Sequence, residues 1–201
     1  STDKLAEYIT EARSMGLAVL PPDINLSEQD FAVQDGKIVF GLTGIKNVGS
    51  AAVEQIIAQR RESGPYRDLV DFLKRLDLRL VNRKVVETLI LTGVFDLLGT
   101  NRATLIHNLD RILEAVNRDK EIRKYGQATL FDTLEVEEAP LALEGVPEFP
   151  TLELLTHERQ HLGFYFSGHP LDKYRELIRR QGGLDLAHLE QAASDRSYTV
   201  V

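Results

Sequence analysis

Apolar residues recur every three or four positions over most of the chain, a spacing that places them on one face of an α-helix. The pattern predicts an N-terminal helix over residues 4–15 that stops at Gly16, a residue typical of helix C-termini. Further helices are predicted over residues 51–63, 66–76, 82–92, 102–125, from about Leu152, and over 171–181. The loops between the middle helices are short, which predicts a compact helical bundle.

Two β-prone stretches, 31–33 and 38–40, flank the dipeptide Asp35-Gly36. Asp-Gly favours a two-residue turn between antiparallel strands, so a small β-hairpin is expected near the N-terminus. Residues 198–201 are also β-prone. The predicted fold class is therefore mainly α, with this hairpin added to the bundle.

The composition excludes several kinds of chemistry. The 201 residues include no cysteine, which excludes disulfides and thiolate metal sites. No stretch approaches the roughly 18 apolar residues of a membrane span, so neither secretion nor insertion is expected. His157, His161 and His169 are accompanied by no recognisable carboxylate pattern, and no metal site or cofactor is predicted.

The net charge of −7 is unevenly distributed. Residues 1–39 carry 3 basic and 7 acidic residues, residues 40–126 carry 15 and 11, and residues 127–201 carry 6 and 13. A basic middle between acidic flanks is typical of a phosphate-facing module inside a larger protein, although an uneven solvated surface gives the same pattern.

Two glycines bracket a short turn before a helical pattern, as in a helix-hairpin-helix motif. Such a turn brings backbone N–H groups and the positive end of a helix close to a phosphate. The residues expected to contact DNA here are Gly44, Ile45, Lys46, Asn47, Val48, Gly49 and Ser50. Contacts of this kind hold the sugar-phosphate backbone without reading bases. The alternative is an ordinary glycine turn between packed helices.

A second hairpin is predicted between Gly93 and Gly99, with Thr100 or Asn101 as the N-cap of the next helix. Its interval is longer than in a minimal hairpin, so a purely structural role is the alternative. The further residues expected to contact DNA are Arg83, Lys84, Thr100, Asn101 and Arg102. A solvated helix face explains the basic pair Arg83 and Lys84 nearly as well.

Several separated motifs occur together in a particular order. They are Tyr8-Ile9, 11–13, Met15-Gly16, 22–25, 40–42, 45–49, Asn82-Arg83, Leu89-Ile90, Gly93, Phe95-Asp96, Arg102-Ala103, 162–165 and 167–171. In this order the chain resembles the bacterial DNA polymerase III alpha subunit over nearly its whole length. The resemblance implies the end of a fingers domain (1–40), a tandem helix-hairpin-helix region (41–126), a clamp-binding peptide and acidic linker (127–150), and a helical connector to a truncated oligonucleotide-binding fold (151–201).

The same resemblance implies that the parent polymerase binds magnesium through aspartates of its palm domain. No Asp-x-Asp motif occurs here, so no catalytic residue is predicted and this segment alone is expected to be inactive. The expected partners are duplex primer-template DNA, the sliding clamp (beta subunit) and other replicase subunits through the parent chain, in a bacterial cytoplasmic, nucleoid-associated replisome.

Residues 126–132 resemble the sliding-clamp-binding peptide of this family. The amide of Gln127 both donates and accepts hydrogen bonds, and Leu130 and Phe131 are apolar anchors for a groove. The alternative is that Leu130 and Phe131 fold back onto a helix of the same domain.

Two other functions remain open at this point. A helix-hairpin-helix DNA glycosylase would use Lys46 as an imine-forming nucleophile, with Asp68 or Asp71 following Gly64-Pro65. A pure protein-interaction module would bind neither DNA nor the clamp.

Overall fold

A computed structural model describes residues 2–124, 141–174, 183–184 and 199–200. By its contacts the chain divides into two units, Ser1–Phe166 and Ser167–Val201. The functional segments expected from the sequence, with boundaries near residues 40, 126 and 150, stay predictions, since a division by contacts does not test functional boundaries.

The described residues contain six α-helices, which confirms the mainly α fold class. They are α1 (Thr2–Ser14), α2 (Ser50–Ser63), α3 (Leu69–Arg75), α4 (Arg83–Leu91), α5 (Arg102–Lys124) and α6 (Thr151–Leu162). Each agrees with a predicted helix, and the largest difference is the start of α3. There the Asp68 carboxylate accepts a hydrogen bond from the Asp71 N–H at 2.7 Å, which fixes the helix start three residues later than the apolar pattern suggested.

A small sheet lies near the N-terminus, formed by β1 (Val19–Leu20), β2 (Ala32–Gln34) and β3 (Lys37–Val39) in the order β1-β3-β2. Strands β2 and β3 are antiparallel, and the turn between them places Asp35 at φ 49° and Gly36 at φ 73°. Two successive left-handed residues are the geometry that favours Asp-Gly, so the predicted hairpin is confirmed. The parallel pairing of β1 with β3 was not predicted from the sequence.

Aromatic rings connect the helices of the first unit. Tyr66 and Phe95 each lie edge-to-face against Phe72, with ring centroids 5.0 and 5.1 Å apart. A second cluster forms where Phe40 contacts Phe164 and Phe166, at 6.0 and 6.4 Å. Because Phe164 and Phe166 follow α6, this cluster joins the end of the first unit to the segment that leads into the first hairpin.

Residues 141–150 form neither helix nor strand, yet they are hydrogen-bonded to α5. Main-chain groups of Glu144 exchange two hydrogen bonds with the Asn108 amide, at 2.9 and 3.0 Å. Main-chain groups of Val146 exchange two with the Thr104 hydroxyl, at 3.1 and 3.0 Å. This half of the predicted acidic linker is therefore attached to α5, whereas residues 127–140 lie outside the described residues.

In the second unit the structure describes a 3-10 turn at Asp172–Tyr174 and a parallel pair of short strands, β4 (Gly183–Leu184) and β5 (Thr199–Val200). Strand β5 agrees with the β-prone end of the sequence. Of the helix predicted over residues 171–181, residues 172–174 form the 3-10 turn and residues 175–181 lie outside the described residues.

Candidate nucleic-acid interface

The first hairpin runs from a 3-10 turn at Leu42–Gly44 to the start of α2 at Ser50. The element before the turn is thus a single 3-10 turn instead of the α-helix that a full helix-hairpin-helix motif has. The chain reverses at Asn47, whose φ of 66° lies in the left-handed region. Asparagine tolerates this conformation better than most residues, so the sharp bend falls on Asn47 instead of either glycine.

The two glycines of this hairpin have different roles. A Cβ atom at Gly44 would lie 2.6 Å from Cε1 of Phe40, a ring that is fully buried. A Cβ atom at Gly49 would meet nothing within 4 Å, and the φ of −72° at Gly49 is open to any residue. Gly44 is therefore required by packing, whereas Gly49 leaves the hairpin surface open.

The residues predicted to contact DNA in this hairpin divide by burial. The side chains of Ile45 and Val48 are buried and attach the turn to the core. Lys46 and Asn47 before the buried Val48, and Gly49 and Ser50 after it, are exposed, and Gly44 is half-buried. The surface offered to a ligand thus consists of main-chain atoms and the Lys46, Asn47 and Ser50 side chains.

The N-terminus of α2 carries an open positive end. No side chain caps it at Gly49, and its first turn contains no acidic residue. Within the described part of the chain, the first helix N–H with a backbone partner is that of Ala52, which donates to the Gly49 oxygen at 3.0 Å. The preceding N–H groups and the helix dipole are therefore directed at solvent, an arrangement that binds anions such as phosphate.

The C-terminal end of helix α6 is hydrogen-bonded to this hairpin. The Lys46 N–H donates to the main-chain oxygen of His161 at 2.8 Å, and the His161 side chain is buried. Burial lowers the pKa of His161, and the neighbouring His157 lowers it further. The sequence contains no local signal for this contact, because its partners are far apart in the chain.

The second hairpin, between α4 and α5, uses its polar groups internally. The Asn101 side-chain oxygen accepts from the Thr104 N–H at 2.7 Å, so of the two predicted N-cap candidates, Thr100 and Asn101, it is Asn101 that caps the helix. Arg102 is buried, and its guanidinium donates to the Asp96 carboxylate at 2.7 Å and to the Leu91 oxygen at 3.2 Å. DNA contact through Arg102 stays a prediction. In this structure the Arg102 guanidinium is buried and is not exposed to a ligand.

Gly93 makes room for this guanidinium. A Cβ atom there would lie 2.2 Å from Nη2 of Arg102 and 2.7 Å from Oδ2 of Asp96. Burial works against the Arg102 charge, but the hydrogen bonds to Asp96 and the carboxylates of Asp96 and Glu158 outweigh it and raise the pKa of Arg102. The glycine that marks a hairpin in the sequence therefore accommodates an internal ion pair.

The remaining predicted DNA contacts lie near the same two helices. Arg83 is exposed and donates to Asp110 at 2.7 Å and to Glu87 at 3.0 Å. Lys84 is exposed and Thr100 is half-buried. For these three residues, contact with DNA stays a prediction.

The glycosylase alternative finds little support among the described residues. Asp68 caps α3, and Asp71 forms salt bridges with Arg75 at 2.7 Å and Arg67 at 3.5 Å. Each carboxylate thus already has a structural partner within the chain, whereas a catalytic base needs an oxygen that is available to the substrate.

Three further observations concern the clamp peptide, metal binding and membrane insertion. The clamp-binding residues predicted from the sequence, Gln127, Leu130 and Phe131, lie outside the described residues. Over the described ranges, no group of three or more histidine, aspartate or glutamate side chains is arranged to hold a metal ion. No helix in those ranges has the length and apolar character needed to cross a membrane.

Comparison with known proteins connects this geometry to a family. A family model described as a helix-hairpin-helix motif matches residues 16–105, which include both hairpins. The chain is 43% identical over 181 residues to the DNA polymerase III subunit alpha of Borreliella burgdorferi, covering 89% of this chain and 16% of the relative. The subunit alpha of Treponema pallidum is 39% identical over 202 residues, covering 100% and 17%.

The subunit alpha of Escherichia coli is 38% identical over 190 residues, covering 92% of this chain and 16% of that protein. The chain therefore spans about one sixth of the length of these curated relatives. Agreement at this level over nearly all of the chain, together with the two hairpins, shows that the chain belongs to the family of bacterial DNA polymerase III alpha subunits.

Proposed function

We propose that this chain holds duplex primer-template DNA by its sugar-phosphate backbone, through the first hairpin. The observation that carries the proposal is the exposed, uncapped N-terminus of α2, with Lys46 beside it and no acidic residue in its first turn. Main-chain N–H groups and a flexible ammonium recognise phosphate without distinguishing bases. The expected activity is a sequence-independent grip whose strength falls with salt.

The side chain of Lys46 supports this assignment. It is exposed and has no salt-bridge partner in the part of the chain that the structure describes, so its charge is available to a phosphate. Ser50, at the first position of α2, adds a hydroxyl to the same edge. Arg83 and Lys84 are candidates to extend the proposed surface. For Arg83, contact with a phosphate requires that the duplex displace its guanidinium from Asp110.

The test of this function is a substitution at Gly49, where a side chain fits. Gly49→Asp places a carboxylate at the N-cap, where aspartate is favoured, so the fold is retained while phosphate is repelled. Gly49→Asn is the matched control, because it has the same shape and capping ability without the charge. Binding of a fluorescent primer-template duplex is measured by anisotropy at several salt concentrations.

The proposal expects the wild-type chain and Gly49→Asn to bind with log K falling linearly in log salt, and Gly49→Asp to lose most of this binding. Equal binding by all three proteins overturns the proposal and removes the first hairpin from the DNA interface. A Gly44 substitution is unsuitable for this test, because the Phe40 ring occupies the space that its side chain needs.

In the whole protein, we propose that this grip supports a DNA-directed DNA polymerase that carries out chromosomal replication. The relatives are named as DNA polymerase III alpha subunits, and the chain spans only a part of them. Holding duplex DNA behind the catalytic centre is the role that fits a base-independent contact. Nucleotidyl transfer with magnesium belongs, in this proposal, to other parts of the polymerase.

We also propose that residues 127–131 bind the sliding clamp, with Gln127 in a polar pocket and Leu130 and Phe131 in an apolar groove. Support comes from the family membership and from the peptide itself. A tether of this kind raises the effective concentration of the chain at the primer end. The test is surface plasmon resonance against immobilised clamp with the double variant Leu130→Ala/Phe131→Ala.

The clamp proposal expects the double variant to lose binding, while Gly49→Asp, which changes only the hairpin, binds the clamp as the wild-type chain does. Unchanged binding by the double variant overturns it. If neither clamp nor duplex binds the wild-type chain, the interaction-module alternative is the one that remains.

A further inference from the structure

The N-terminus of α5, the helix of the second hairpin, receives an internal carboxylate. Oε2 of Glu148 accepts a hydrogen bond from the Arg102 N–H at 2.9 Å, and Oε1 accepts from the Ala103 N–H at 3.0 Å. The same Oε1 also accepts from the Phe149 N–H at 2.8 Å. Both oxygens of one carboxylate are thus placed on the first turn of a helix, where its dipole favours negative charge.

Glu148 is brought there by three polar side chains, Asn101 at the N-cap of α5 and Thr104 and Asn108 on the helix, which we call the polar strip. The Asn101 amide donates to the Val146 oxygen at 3.0 Å, and the Thr104 hydroxyl donates to the same oxygen at 3.1 Å. Asn108 is bonded to main-chain atoms of Glu144. Because Thr104 and Asn108 are buried, these bonds are shielded from water and hold residues 144–148 along the helix.

The two hairpins of the chain therefore differ at the place where such a motif meets phosphate. In the first, the N–H groups at the start of α2 face solvent without a capping side chain. In the second, the N–H groups of Arg102, Ala103 and Thr104 all have side-chain acceptors. The guanidinium of Arg102 is buried against Asp96, so it offers no exposed charge either.

We propose that Glu148 closes the second hairpin to DNA by holding its carboxylate where a backbone phosphate would otherwise bind, so that the chain grips a duplex through the first hairpin alone. A phosphate cannot share the position, since both groups are negative and the N–H donors serve one anion at a time. This inference rests on the proposed DNA-binding function and adds to it: Glu148 determines which of the two hairpins contacts the duplex.

The first arm of the test compares Glu148→Ala and Glu148→Gln with Glu144→Gln. Glu144 lies in the same segment, and its carboxylate contacts His107 at 3.3 Å instead of the helix N-terminus. Glu144→Gln therefore removes the same charge without opening the α5 terminus. Duplex binding is measured over a range of salt concentrations for each variant, after urea denaturation has shown that it is folded.

Glu148→Ala is expected to raise duplex affinity about two- to fivefold, from the interaction of one anion with a helix N-terminus. Its plot of log K against log salt is expected to steepen by about 0.9, the contribution of one added phosphate contact. Glu148→Gln shifts both quantities in the same direction, and Glu144→Gln leaves the slope unchanged. Equal slopes for Glu148→Ala and Glu144→Gln overturn the inference.

The second arm uses the wild-type chain and does not depend on the folding of any variant. Titration of the 15N-labelled chain with duplex is expected to shift the amide resonances of Ser50 and Ala51 and leave those of Arg102 and Ala103 unchanged. Comparable shifts at all four amides overturn the inference. Failure of the proposed function is recognised separately, by the absence of any effect of Gly49→Asp on binding.

Discussion

The main-chain N–H of Lys46, at the tip of the first hairpin, donates a hydrogen bond at 2.8 Å to the main-chain oxygen of His161, at the C-terminal end of α6. Two sets of contacts therefore fix the shape of the hairpin. One is the burial of its own side chains Ile45 and Val48, and the other is the hydrogen bond to the end of α6, which is more than 100 residues later in the chain. The geometry of the proposed phosphate site therefore depends on residues outside that site.

The first prediction concerns acidity. Burial depresses the pKa of His161 below its ordinary value of 6.5, and the groups facing His161 are His157, Lys46 and Glu87. A depressed histidine pKa stabilises the fold above 6.5, because the unfolded chain takes up the proton first. That stability is lost as pH falls from 6.5 towards the folded pKa, at up to about 1.4 kcal/mol per pH unit.

The measurement is urea denaturation at several pH values between 7.5 and 5 for the wild-type chain and His161→Gln. The stability difference between them is expected to shrink as pH falls below 6.5. A profile for His161→Gln parallel to that of the wild type contradicts the prediction.

The second prediction separates the two glycines of the first hairpin. Gly44→Ala places a methyl group 2.6 Å from the buried Phe40 ring, so packing must shift at a cost of about 1–3 kcal/mol. Gly49→Ala meets nothing within 4 Å, and the poorer helix capping by alanine is offset by the lower entropy of the unfolded chain, so the free energy of unfolding should change by less than about 0.5 kcal/mol. Chemical denaturation of the pair checks this, and similar losses for both variants would show that Phe40 does not set the requirement at Gly44.

The third prediction compares two arginines. Arg102→Ala removes a buried guanidinium that lies 2.7 Å from Asp96 and 3.8 Å from Glu158, which is itself 3% exposed. Leaving the buried Glu158 carboxylate without its guanidinium neighbour should lower the free energy of unfolding by about 3–5 kcal/mol. Arg83→Ala removes an exposed guanidinium paired with Asp110 and should cause no measurable loss. Equal unfolding midpoints for the two variants in urea would contradict the buried role of Arg102.

Sequence reasoning succeeded where the signal is local. Asp35-Gly36 specifies a turn because only two adjacent left-handed residues are needed, and the helices followed from apolar spacing within one segment. The parallel pairing of β1 with β3 was missed, because a strand of two residues carries no pattern that identifies its partner.

The same limit applies to the candidate site. The open end of α2 follows from Gly49 and from the absence of acids in the next turn, both readable in the sequence. Arg102 looked like a phosphate ligand, since it begins a helix after a glycine turn. Its burial depends on Asp96 and on Glu158, which the chain reaches only after the 141–150 segment. Glu148 was assigned to a linker because nothing near it signals a helix N-terminus 46 residues earlier.

The polar strip binds residues 144–146 through their main-chain atoms, so the bonds constrain the backbone of this segment and not its side chains. Asn108 uses the N–H and oxygen of Glu144, and Thr104 uses those of Val146, so side chains at 144 and 146 are free to vary. A proline at either position removes a required N–H. The two prolines of the 141–150 segment stand at 147 and 150, so neither occupies position 144 or 146. Homologous sequences should therefore vary in composition along the segment while excluding proline from positions 144 and 146.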